Sequence, residues 1–75
     1  MTTADSIRER ALSLARSGVE RDEAVRELET SSGGRRVAVV RARQQIASSL
    51  VEEPDRPEFA SAIELLDDLL GRLPA

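Results

Sequence analysis

Three groupings of side chains in this sequence have the types and spacing to do chemistry. The first is basic: Ser31-Ser32-Gly33-Gly34 runs directly into Arg35-Arg36, with Arg41 and Arg43 close behind. A turn that feeds arginines into the start of a helix can hold a phosphate or another anion, because free backbone N–H groups and guanidinium donors converge there. The run lacks the lysine and the spacing of a P-loop and follows a helix instead of a strand. Its plain reading is a linker with two solvated arginines. The second grouping is acidic: Glu64, Asp67 and Asp68 share one helix face at i, i+3 and i+4, a spacing that can bind Mg²⁺. They lie opposite an apolar seam, where a solvated face is the ordinary expectation, so no metal site is predicted. The third, Glu52-Glu53, ends a helix, where acids oppose the macrodipole.

The residue inventory closes most other routes. All basic residues are arginine, and the chain has no lysine, histidine, cysteine, tryptophan, tyrosine or asparagine. That leaves no Ser–His or Cys–His pair, no Schiff-base lysine, and no nitrogen or sulfur ligand for zinc. The reading is a protein that is not an enzyme and needs no cofactor. The start, Met1-Thr2-Thr3-Ala4-Asp5, has no basic stretch followed by an apolar one, so no secretory signal is read. No apolar run is long enough for a membrane span. The default expectation is a cytoplasmic bacterial protein, since exclusive use of arginine fits a GC-rich genome.

The elements that position these groups follow from the punctuation. Gly18, the Ser31–Gly34 run and Pro54-Asp55-Arg56-Pro57 are the strong breakers, and nothing between them alternates with period two. The 75 residues therefore predict one all-α domain over 1–75, a compact four-helix unit with helices near 5–17, 21–30, 35–52 and 58–72. In the first helix Ile7, Ala11, Leu14 and Ala15 share a face, with Leu12 at its edge. The second presents only Ala24, Val25 and Leu28, with Glu20 and Glu23 placed for a capping box. The third carries two apolar stripes, Val39-Ala42-Ile46-Leu50 and Val37-Val40-Ala47-Val51, together covering about 220° at 100° per residue. That breadth predicts that the third helix is central. Arg43 falls between the stripes, about 20° from Leu50, and reads either as a structural ion pair or as an anion ligand.

The fourth helix is amphipathic. Asp55 and Glu58 are spaced for a capping box, and Phe59, Ile63, Leu66, Leu70 and Leu73 recur as a heptad seam. Ala62, Leu65 and Leu69 widen it to about 160°. Nineteen large aliphatic and aromatic side chains make a thin core for a domain with no disulfide, and small chains often complete such a core by oligomerising. The sequence thus predicts a homodimer or a protein partner docked through Phe59, Ala62, Leu65, Leu69 and Leu73.

Charge is uneven along the chain. Residues 1–34 balance at −2, residues 35–51 at +4 and residues 52–75 at −5, for a net −3. The second and third helices with their short turn resemble a helix-turn-helix unit, which would make Arg35, Arg36 and Arg41 nucleic-acid contacts. Val37, Val39 and Val40 then stand where base-reading side chains belong, and net acidity works against phosphate affinity. In size and acidity the chain is similar to acyl carrier proteins. It lacks their Asp-Ser-Leu turn: Asp5-Ser6 is followed by Ile7, and Ser32 by Gly33-Gly34. The functional expectation is a non-catalytic helical interaction or regulatory module, self-associating through the fourth helix; the alternative is a helix-turn-helix DNA-binding regulator.

Overall fold

Residues 3–73 are described by the computed structural model, and among them there are four α-helices and no strand. These are α1 (Thr3–Ser17), α2 (Arg21–Ser32), α3 (Arg36–Glu52) and α4 (Pro57–Arg72). The all-α, four-helix reading of the sequence is what the chain adopts. The Cα radius of gyration is 11.1 Å, matching the roughly 11 Å of a compact unit of this length. No helix of the described residues is long and apolar enough to cross a membrane.

Local chemistry explains most helix ends. Gly18 turns the chain after α1 at φ +75°, a value that costs an L side chain on the order of 1 kcal/mol. Gly33 closes α2 at φ 61°, ψ 24°, and its N–H is shared between the carbonyls of Glu29 (3.2 Å) and Thr30 (3.3 Å). This left-handed cap satisfies carbonyls that the helix itself leaves open. Helix α2 runs two residues past the predicted Thr30 because Ser32 turns inward. Ser32 is buried, and its Oγ donates to the Glu29 carbonyl at 3.1 Å. Neither predicted capping box forms. Glu20 and Arg56 occupy the N-caps of α2 and α4 without a side-chain capping bond, and Glu58 accepts from Arg56 at 3.3 Å instead. Pro57 opens α4, where its missing N–H is no loss.

The hub is α4, not α3. Helix α4 packs against all three others, whereas α2 scarcely meets α3. The reason lies in side-chain size. The α4 arc is built from Phe59 and four leucines between 65 and 70, large enough to fill contacts on several sides. The second α3 stripe offers only valines and an alanine, and its ends are not covered: Val37 is 74 % exposed and Val51 82 %, with Val40 and Ala47 half-buried between them. The other stripe, Val39, Ala42 and Ile46, is fully buried, with Leu50 partly so.

The predicted docking edge of α4 is likewise internal. Phe59, Ala62, Leu65, Leu69 and Leu73 are all buried within the single chain. At about 100° per residue, Leu65 and Leu69 share a flank of α4 with Asp68 and Arg72. That flank meets α2: Arg21 pairs with Asp68, and Arg72 donates to Asp22 at 3.1 Å. The sequence assigned the wide seam to a partner molecule; within the single chain, α2 packs against that edge.

Candidate interaction surface

Two polar clamps fix the rotation of α3 about its own axis. On one side the Arg43 guanidinium forks onto Asp67 of α4, with Nη2 3.3 Å from Oδ2. On the other, Arg8 of α1 donates from Nη1 to Oε1 of Gln45 at 3.2 Å. Residues 43 and 45 lie about 100° to either side of residue 44 on a helix. Gln44 therefore marks the centre of the outward face, diametrically opposite the buried Ala42 and Ile46. Val37 and Val51 stand within about 20° of that centre line. Arg41 and Ser48 are exposed beside it, and Val40 and Ala47 are half-buried.

Arg43 is thus a structural ion pair. The hydrogen bond from its guanidinium to Asp67, then the carboxylate's charge, raise its pKa above the ordinary arginine value; slight desolvation opposes this. Arg21 is raised in the same way by Asp68. A raised folded-state pKa contributes stability below the ordinary arginine range and loses it only above that range. From the arginine side, both pairs stay charged at all working pH. Asp67 and Asp68, two of the three acids that share a face of α4, are the receiving ends of a clasp between α4 and its neighbours. Because the Arg43 and Asp67 side chains are 38 % and 48 % exposed, the clasp is weak. A double-mutant cycle of Arg43→Met with Asp67→Asn is expected to give a coupling below about 1 kcal/mol. Urea melts should show it shrinking between low and high salt.

The three arginines singled out from sequence do come together. Arg35, Arg36 and Arg41 line one open cavity of about 520 Å³ at the start of α3, floored by Ala4, Val37 and Ala38. Arg35 donates from Nη1 to Thr3 Oγ1 at 3.2 Å, and Arg36 donates from Nη1 to the Leu70 carbonyl at 3.1 Å. Arg41 has no ion pair among the described residues. Arg35 is the N-cap residue and makes no side-chain capping bond, so the first turn of α3, which helps line this cavity, has no capping side chain. The site joins positive charge to an apolar floor, which suits a carboxylate carried on an apolar scaffold better than a free, fully hydrated anion.

Residues missed by sequence reasoning are Val37, Gln44 and Val51 as members of one exposed stripe. Their signal was present as a strict seven-residue spacing, but it was absorbed into the broad apolar arc of the helix. No family model matches the chain, and neither does any curated protein or solved structure.

Proposed function

We propose that this chain is a non-catalytic protein-interaction module whose docking surface is the outward face of α3. The observation that supports the reading is the pair of exposed valines. Apart from Val19, at 36 %, Val37 and Val51 are the large apolar side chains left exposed among the described residues, and they stand on one line of one helix. Isolated exposed apolar residues are ordinary; a lined-up pair beside an arginine-rimmed cavity is the pattern of a recognition surface. Absence of histidine, cysteine and lysine from the sequence favours binding over catalysis.

The DNA-binding alternative has less support. A helix-turn-helix pair packs its two helices on each other, whereas α2 and α3 barely touch. Val37 also occupies the place of a base-reading side chain.

The test is a photo-crosslinking residue placed at Gln44 and, as a control, at Glu27 on the exposed face of α2. Irradiation in cells should give a protein adduct of discrete mass from position 44 and none from position 27. Adding Val51→Glu should abolish it. Equal labelling from both positions would remove the α3 face from consideration.

A further inference from the structure

We infer that the occupant of the α3 face is a second copy of this chain, docked antiparallel about a two-fold axis through Gln44; this rests on the interaction-module reading above. About that residue the exposed valines of α3 are placed symmetrically and its terminal charges with opposite signs. Val37 and Val51 lie seven positions to either side, Arg36 and Glu52 eight, and Arg35 and Glu53 nine. An antiparallel copy centred on Gln44 sets each exposed valine against the opposite valine of its neighbour. It also lays the basic end of one α3 beside the acidic end of the other. A parallel copy would bring arginine to arginine and glutamate to glutamate. Charge therefore selects one orientation.

The helix ends give a second, independent argument. Arginines at the start of α3 and glutamates at its end both have the wrong sign for their own macrodipole. In an antiparallel pair each group lies beside the opposite terminus of the neighbouring helix, where its sign is right. The arginine cavity gains an occupant of suitable chemistry: the carboxylate of Glu52 of the second copy, which stands about 80° from the centre of the face. Glu52 has no ion pair among the described residues, and Glu53 has only Arg56 at 3.8 Å. Gln44 meets Gln44 of the second copy at the axis, where paired amides fix the register as a buried polar residue does in a coiled coil. The stripe from Val37 to Val51 is about 21 Å long. One helix face of that length buries less than the roughly 800 Å² per partner of a standard interface, so dissociation in the micromolar range is expected.

The experiment is a charge exchange read by sedimentation equilibrium from about 10 µM to about 1 mM, a span that brackets a Kd of roughly 100 µM. The wild-type chain should reach twice 8.2 kDa. Arg35→Glu/Arg36→Glu and Glu52→Arg/Glu53→Arg should each dimerise at least about tenfold more weakly alone. An equimolar mixture of the two should recover wild-type affinity, because both ends of the mixed pair are then complementary. Val51→Glu, at a position too exposed to disturb the fold, should also give monomer with wild-type circular dichroism. A wild-type chain monomeric at 1 mM, a dimer indifferent to these changes, or a mixture that fails to recover overturns the second copy. A monomer that still gives a Gln44 adduct with a different protein keeps the α3 reading and rejects self-association alone.

Discussion

Leu66→Glu should leave the chain unfolded at neutral pH, with the helical circular dichroism signal largely lost. Leu66 is fully buried near the middle of α4, the helix that packs on all three others. Removing the leucine forfeits about 2–3 kcal/mol of burial, and a carboxylate in its place adds several kcal/mol of desolvation. A domain of this size has only about 4–11 kcal/mol to lose. Acidification should reverse part of the loss. A buried glutamic acid titrates above its unfolded value, so the folded state binds the extra proton and gains relative stability as pH falls. Helicity should therefore return in part near pH 4–5, around the ordinary glutamate value. Leu65→Glu provides the contrast. Leu65 is 7 % exposed at the α2 flank, so a carboxylate there reaches water more easily. The expected result is a weakened but folded chain whose self-association is unchanged. Wild-type helicity in Leu66→Glu at pH 7 would place the core elsewhere.

Helix number and position were legible because they rest on local chemistry. Gly18, Gly33 and Pro57 act through their own φ preferences and missing groups, so reading them needs no tertiary knowledge. Helix rank was not legible. A broad apolar arc says how much of a helix can be buried, not how many neighbours arrive to bury it. Two helices had broad arcs and only one lies against all the others; leucine bulk decided for α4 over the valine-rich stripe of α3. The ion pairs were hidden for a different reason. Arg21 and Asp68 are 47 positions apart, and Arg43 and Asp67 are 24 apart, so their meeting is a consequence of the packing and cannot precede it. At the candidate site, Arg35, Arg36 and Arg41 line one cavity because they are close in sequence around a single helix start. Which apolar edges are covered within the chain was not legible: the α4 edge at Leu65 and Leu69 is buried, whereas Val37 and Val51 of α3 stay exposed.

The same packing makes α2 the element most sensitive to a single truncation. It buries a narrow set, Ala24, Val25, Leu28 and Ser32, and Leu28 is the largest of these. Its other ties to α4, Arg21–Asp68 and Arg72–Asp22, are surface pairs with side chains 39–80 % exposed, which water and salt screen, so they hold the helix only weakly. Leu28→Ala is therefore expected to cost about 3 kcal/mol and to lower Tm by roughly 12–24 °C. Loss of that one anchor also leaves α2 free to open without the rest. Its amides should exchange on the order of 100-fold faster, while those of α4 change less, because most contacts of α4 with α1 and α3 persist during such an opening. Uniform acceleration across all four helices would mean that α2 opens only with the whole domain. Self-association should be untouched while the chain stays folded, since α2 has little contact with α3 and none of its residues belongs to the face centred on Gln44. Leu28→Ala thus separates the two halves of the molecule's design: a core organised around α4 and a surface organised around α3.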